Sequence, residues 1–220
     1  MTAAKPKLEY ADVQSESALE WLIRQKDGLL SHPIELAVSL LAITLSTYHL
    51  FVGYAGALEA HAFRSTHLSI IMILCFLLRP LGRKSFKDPI NKWFIVDAIL
   101  IGLTIASQVY TLWDLDDFIF RRGNLSPWDL RLGTVYLILL LEATRRAVGW
   151  AMVGIAVFFL VQTRFSDYFF SIFYGPPNDW FTIIDYLWMR ENGIFGIPIM
   201  VMATYIFLFI LFICIYAFSA

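Results

Sequence analysis

Ionisable side chains inside long apolar stretches are the first candidates for chemistry in this sequence. His49 lies within the first such stretch, and Asp97 lies one turn inside the third. An ionisable group at membrane depth is costly, and it often belongs to a proton or ion relay. We favour simpler interpretations, a neutral histidine hydrogen-bonded to a neighbouring helix and an aspartate paired with a loop cation such as Lys92. The relay interpretation stays open at this point.

A second group of charges marks the end of the fourth apolar stretch. Glu142 is followed three and four residues later by Arg145 and Arg146. Residues at these spacings lie on one face of a helix, so the spacing predicts a local ion pair. Arginines at the edge of an apolar stretch are also placed to contact lipid phosphates at the inner leaflet. We therefore expect these three residues to contact lipid or neighbouring parts of the protein.

Motifs of known catalytic chemistry are absent from the sequence. It contains neither HExxH nor GxSxG, and it has no P-loop, so ATP-driven transport by this chain alone is disfavoured. Cys75 and Cys214 lie in apolar blocks without metal-ligand spacing, which is typical of small core residues. Asp114, Asp116 and Asp117 resemble an acidic metal motif but have no second cluster. We predict no catalytic, cofactor-binding or metal-binding residue.

Composition places the chain among membrane proteins. Apolar residues make up 59% of it and charged residues 16%, whereas soluble domains are about 45–50% apolar and about 25% charged. The net charge of −1 gives no electrostatic reason to expect nucleic acid as a partner. The first 32 residues are polar and the first apolar stretch is too long for a signal peptide, so we expect that stretch to remain as an anchor.

Six apolar stretches predict an all-α integral membrane protein with about six transmembrane helices. They cover residues of about 33–58, 60–81, 93–113, 128–142, 147–163 and 194–220. Residues 13–31 form either an amphipathic helix on the membrane surface or a solvated lead-in. The last stretch runs to the end of the sequence without a charge. We therefore expect this chain to be the front part of a larger membrane protein, or a subunit docked against one.

Charge and aromatic residues predict the orientation. The connection after the second stretch holds Arg79, Arg83, Lys84, Lys87 and Lys92 against Asp88 alone. This excess places that loop, and with it the N-terminus, in the cytoplasm.

The aromatic-rich residues 164–193 predict an interfacial helix of residues 180–190 on the outer face. In this interpretation Trp180 and Trp188 contact lipid as membrane anchors, or contact other parts of the scaffold, and Asp179 is the N-cap of the helix.

Two motifs carry a resemblance to a known family. Residues 141–149 read LEATRRAVG, and residues 191–198 read ENGIFGIP, followed at 203–212 by ATYIFLFILF. In this order and about 40 residues apart, they resemble the N-terminal part of the fused membrane subunit of tripartite ATP-independent periplasmic (TRAP) transporters, closest to the TAXI subgroup. The resemblance covers roughly residues 33–220.

The resemblance implies a sodium-coupled importer of organic acids or amino-acid-like solutes, to which a periplasmic binding protein delivers the solute. A large membrane part moves in an elevator motion, and a small part stiffens the scaffold in the lipid bilayer. The family's sodium and substrate sites lie in the large part. No ligand residue is therefore carried over, and the unknown substrate's site is expected outside this chain. The implied location is the bacterial or archaeal inner membrane, with several passes.

The resemblance also divides the chain. Residues 1–32 would be a cytoplasmic tail, 33–150 a four-helix domain like the small subunit, 151–193 a fifth helix with the outer interfacial segment, and 194–220 the first helix of the large part. Two alternatives stay open. One is a stand-alone small channel or assembly factor, and the other is a membrane enzyme acting on lipid. Ion flux from the purified chain alone would favour the channel.

Overall fold

The computed structural model describes residues 33–56, 59–81, 93–170 and 173–219. Within these residues the chain is helical and contains no strand, which confirms the all-α fold class at that level. Six helices come first: α1 Pro33–Ala55, α2 Ala60–Leu78, α3 Phe94–Trp113, α4 Leu115–Phe120, α5 Pro127–Ala147 and α6 Trp150–Arg164. The tail of residues 1–32, with its amphipathic segment, and the loop cations from Arg83 to Lys92 lie outside the described residues.

Two further helices contain π-helical turns. The first, α7, begins as Trp180–Ile184 and continues as a π-helical turn over Asp185–Met189. The second, α8, consists of Ile197–Val201, a π-helical turn Met202–Ile206, and Phe207–Ser219. Turns of this kind are rare and are found frequently at functional sites.

Four of these helices are long and apolar enough to cross a membrane, namely α1, α2, α3 and α8. The fourth predicted stretch folds as α5, which has 21 residues but carries charges near both ends. The fifth folds as α6, which has only 15 residues. A span count of six therefore stays a prediction. Within α8 the helix begins at Ile197 and not at residue 194, because residues 191–195 form turns.

The core lies where α2, α3 and α5 pack together. Met72 and Phe76 of α2 and Tyr136 and Leu139 of α5 are buried there. The start of α5 is fixed locally by a capping box, in which Ser126 bonds the backbone of Asp129 and the Asp129 carboxylate bonds the backbone of Ser126. Its orientation at the edge of the core is therefore set by the sequence just before it.

Helices α1 and α8 lie at the periphery of this core. Within the most apolar 18-residue segment of each helix, only 11% of α1 and 6% of α8 is buried. They meet each other and α2 where the ring of Phe207 packs against His49 and His67. Most of their surface therefore faces outward from the bundle.

The connections separate into two ends of the bundle. At one end, which we call the arginine end, Arg79 after α2 contacts Arg146 and Ala147 at the end of α5. At the other, which we call the tryptophan end, His61 at the start of α2 contacts Phe118 of α4 and Phe195 before α8. The loops expected on the same side of the membrane thus lie together.

Candidate functional site

The arginine end contains a network of guanidinium and carboxylate groups that begins within α5. The carboxylate of Glu142 accepts hydrogen bonds from Arg145 Nε at 2.7 Å and from Arg146 Nε at 2.7 Å. The local ion pair predicted from the i,i+3 and i,i+4 spacing is therefore confirmed. A further bond between an arginine and a carboxylate in this network joins α5 to a different helix.

Asp97 of α3 is the long-range partner of Arg146. Arg146 Nη1 donates to Asp97 Oδ1 at 2.6 Å, and the two side chains are only 4% and 2% exposed. The other carboxylate oxygen, Oδ2, accepts from the backbone N–H of Leu81 at 3.1 Å. Asp97 was predicted to pair with a loop cation such as Lys92, and the partner that the structure describes is instead a cation of α5. Lys92 itself lies outside the described residues.

Reciprocal contacts tie the end of α2 to the end of α5. Arg79 Nη1 donates to the carbonyl oxygens of Arg146 at 2.9 Å and Ala147 at 3.2 Å, which would otherwise lack partners at a helix C-terminus. Arg146 Nη1 donates in return to the carbonyl of Arg79 at 3.2 Å. The Arg146 guanidinium lies 5.1 Å from the ring centroid of Phe76. The ends of α2, α3 and α5 are thus held by one arginine.

Trp188 organises the tryptophan end from inside the protein. Its side chain is 1% exposed and packs edge-on against Phe118, with 5.2 Å between ring centroids. A Cβ atom on Gly133 of α5 would lie 2.7 Å from Trp188 Cε3 and 2.5 Å from Ile184 Cγ2, so the glycine is needed for this contact. Of the two contacts expected for Trp188, the one with lipid is therefore wrong, and the side chain contacts the protein itself. Ile184 and Trp188 are four residues apart, so both lie on the face of α7 that packs against α5.

Trp180 also contacts α5, but at its edge. Its Nε1–H donates to Thr134 Oγ1 at 2.9 Å, and the side chain is partly exposed. The helix predicted for residues 180–190 is present as α7, with one face packed on α5. Asp179 precedes it as predicted, but its side chain makes no capping hydrogen bond. The contact of Trp180 with lipid stays a prediction.

The second motif of the resemblance, residues 191–198, forms a tight corner after α7. A Cβ atom on Gly193 would lie 2.2 Å from the Tyr186 carbonyl oxygen and 2.5 Å from Leu187 Cα, so only glycine fits. The backbone N–H of Ile194 donates to the Leu187 carbonyl at 2.9 Å. Phe195 is fully buried, and its carbonyl accepts from Arg64 Nη1 at 2.8 Å. This motif therefore fixes how α8 leaves the bundle.

Acidic residues at the tryptophan end serve helix ends and ion pairs. The buried Asp129 carboxylate accepts from Arg121 Nε at 3.0 Å and from the Tyr110 hydroxyl at 2.8 Å. The hydrogen bond to Asp129 raises the pKa of Arg121, which also pairs with Asp117. Asp114 caps α4. In the part of the chain that the structure describes, no three potential metal-ligating side chains come together.

Hydrogen bonds between polar side chains cross the middle of the bundle. Ser69 of α2 donates to Gln108 Oε1 of α3 at 2.9 Å, and its oxygen lies 3.2 Å from the hydroxyl of Tyr136 of α5. Gln108 Nε2 donates to Thr66 Oγ1 at 3.0 Å. The three core helices are therefore connected midway as well as at both ends.

A buried histidine pair joins α1 to α2. His49 Nδ1 lies 2.8 Å from the Leu45 carbonyl, and His49 Nε2 lies 2.9 Å from His67 Nδ1. Since a carbonyl only accepts, His49 Nδ1 carries the proton, and in the neutral form predicted for His49 its Nε2 accepts from His67 Nδ1. The predicted hydrogen bond of His49 to a neighbouring helix is confirmed. Its partner was not predicted, although two histidines in successive apolar stretches were a visible signal.

A cavity of about 570 Å³ lies between α5, α6 and α7. Apolar side chains provide most of its lining, among them Leu137, Leu140, Phe159, Leu160 and Ile183. Such a lining accommodates hydrocarbon more readily than a polar solute. We therefore assign the cavity no role in the chemistry of a charged solute.

These features define a helical bundle of membrane type, with polar clamps at both ends and in the middle of three core helices. Comparison of the chain with protein-family models, with curated proteins and with solved structures finds no match.

Proposed function

We propose that this chain is the stationary membrane scaffold of a TRAP-type secondary transporter. A large membrane subunit, or the rest of a fused chain, moves the solute beside it. A sodium gradient drives import of organic acids or amino-acid-like solutes, which a periplasmic binding protein delivers. The protein lies in the inner membrane of a bacterium or archaeon, with its N-terminus in the cytoplasm. Sodium and substrate ligands are expected outside this chain.

The fixed register of the three core helices is the observation that supports a scaffold role. The bond between Asp97 and Arg146 joins α3 to α5 at one end, and Gln108 joins α3 to α2 midway. At the other end, the Tyr110 hydroxyl of α3 donates to the Asp129 carboxylate of α5 at 2.8 Å. Breaking such interactions in lipid leaves polar groups without water to replace their partners. A frame held in this way can stay still while a neighbouring domain moves.

The exposed aromatic face of α8 supports the presence of a membrane partner. Tyr205, Phe209, Phe212 and Tyr216 are all more than half exposed and follow one another at spacings of four, three and four residues. Side chains at these spacings form a single stripe along a helix. Aromatic side chains dominate the energetics of many protein interfaces. This stripe therefore gives the large transport part a surface to pack against.

The first test is purification from native membranes, followed by intact-mass measurement of every component. We expect either a polypeptide well above 25.3 kDa that begins with this sequence, or a chain of 25.3 kDa with a large multi-helix partner. A chain of 25.3 kDa that is stable and monodisperse alone would argue against the scaffold. In that case, ion flux through the purified chain in liposomes would favour the channel alternative.

Site-specific photo-crosslinking locates the partner. We expect a photoreactive amino acid at Phe209 to crosslink to the large transport part in native membranes. The matched control is Ile99 of α3, which is 55% exposed but lies on another helix, compared with 65% for Phe209. Crosslinks to lipid alone from position 209, in a preparation that contains the large part, would contradict the proposed interface.

A further inference from the structure

The bonded network at the arginine end contains more guanidinium than carboxylate groups. The guanidinium groups of Arg79, Arg145 and Arg146 lie with the carboxylates of Asp97 and Glu142. Each carboxylate is already bonded to an arginine within this network. One positive charge is therefore left without a carboxylate in it, in a region of lower dielectric than water, where charges interact strongly.

Hydrogen-bond donors also remain available at this end. Arg145 uses Nε and Nη2 for Glu142, and Arg79 uses Nη1 for two carbonyl groups. A guanidinium has five N–H groups, so both side chains keep further donors. Arg79 is exposed and Arg145 is about one-quarter exposed. The buried Nη2 of Arg146 has no acceptor in the part of the chain that the structure describes.

Two exposed tryptophans mark the depth of this end. Trp150, at the start of α6, is 71% exposed, and the Arg145 guanidinium lies 5.3 Å from its ring centroid. Trp93, just before α3, is 45% exposed and lies one turn from Asp97. Exposed tryptophans are enriched at the level of lipid headgroups. The accessible arginines therefore lie at phosphate depth rather than in the hydrocarbon.

We propose that Arg79 and Arg145 bind the phosphate group of an anionic phospholipid at the arginine end. Guanidinium groups bind phosphate oxygens bidentately, which favours arginine over lysine for this contact. Arg146 stays buried behind them, paired with Asp97 and Glu142. The guanidinium without a carboxylate partner in the network is therefore that of Arg79. A headgroup with a net negative charge balances the excess, whereas a zwitterionic headgroup does not. This proposal does not depend on the transport function.

The test measures the melting temperature of the full chain, with any partner that co-purifies. It compares vesicles of phosphatidylcholine with vesicles that also contain phosphatidylglycerol. In addition, phosphatidylglycerol is titrated into the same sample, and native mass spectrometry measures how much of it is bound. We expect phosphatidylglycerol to remain bound and to raise the melting temperature. Inorganic phosphate at equal concentration should do neither. Equal effects of inorganic phosphate would identify a free-phosphate site and overturn the lipid assignment.

Arg145→Gln is the variant for this site, because Glu142 keeps its bond to Arg146 and the helix end should stay folded. We expect phosphatidylglycerol to bind about tenfold more weakly, the loss of roughly one charge-assisted hydrogen bond. Arg131→Gln at the tryptophan end makes the same charge change and is the control. Unchanged binding in Arg145→Gln, or an equal loss in Arg131→Gln, would overturn the proposal. Arg79→Gln provides a second, independent variant with the same expected loss.

Discussion

Substituting Asp97 by Asn tests whether the arginine end is a structural clamp. The change keeps the side-chain volume but removes the charge that faces Arg146 across 2.6 Å, where both side chains are almost fully buried. Removing one partner of a buried ion pair costs about 3–5 kcal/mol, because the other charge is left inadequately compensated. A chain of this size loses about 2–4 °C of melting temperature per kcal/mol. The expected decrease is therefore roughly 6–20 °C.

The assay is thermal unfolding of the purified protein in detergent, followed by the loss of monodisperse protein with temperature. Asp116→Asn is the matched control, since this aspartate is exposed on α4. Surface changes of this kind stay within about 0.5 kcal/mol. A third variant, Asp97→Asn with Arg146→Gln, completes a double-mutant cycle. The combined loss should be smaller than the sum of the two single losses, because no buried charge is left opposite a neutral group.

One outcome would refute this reasoning. If Asp97→Asn lowers the melting temperature no more than Asp116→Asn does, the bond behaves like an exposed ion pair, which contributes about 0–1 kcal/mol. Additive losses in the cycle would lead to the same conclusion. The core helices would then lack the clamp on which the scaffold proposal depends.

Two further substitutions examine other parts of the fold by the same melting assay. Gly193→Ala should be strongly destabilising, by more than about 3 kcal/mol, because its Cβ would overlap the carbonyl of Tyr186. The control is Gly102→Ala, which should be neutral or stabilising because a Cβ there would have nothing within 4 Å. Similar losses of stability in the two variants would contradict the close packing at Gly193. His49→Leu should cost about 1–3 kcal/mol, because the buried N–H of His67 loses its acceptor. Replacing both histidines by leucine should recover part of that loss, and no recovery would argue against the pair.

Sequence reasoning located the helices well wherever an apolar stretch is uninterrupted. The third stretch, expected at 93–113, is the helix Phe94–Trp113, with a tryptophan at each boundary of the prediction. The first, expected at 33–58, is Pro33–Ala55. Such boundaries follow from local composition, since a backbone in lipid satisfies its hydrogen bonds only within its own helix.

Long-range partners could not be predicted in the same way. The pair of Glu142 with its two arginines was found because the spacing is local, but Asp97 and Arg146 are 49 positions apart. Nothing in one sequence specifies which cation reaches a given carboxylate. Trp188 was misassigned for a related reason, because its residue type suits both a membrane interface and a protein core.

One signal for that core packing was present in the sequence. Gly133 lies inside a long helix, where glycine is about 1 kcal/mol less favourable than alanine. A glycine in such a position is consistent with the close approach of another element, and here that element is Trp188. The sequence indicated that something packs there but not what packs.

Three interactions at different heights make the core helices resist sliding. A shift of one helical turn, about 5.4 Å, would separate Asp97 from Arg146 and Gln108 from Ser69, which are now 2.6 Å and 2.9 Å apart. At the tryptophan end it would also move Trp188 off Gly133. A slide of α3 breaks the first two of these interactions, and a slide of α5 breaks the first and the third. In lipid, each broken interaction leaves polar groups without partners or an unfilled cavity. Helices α1 and α8 carry few such constraints. Any motion in a complete transporter should therefore occur outside α2, α3 and α5 and leave these three helices in place.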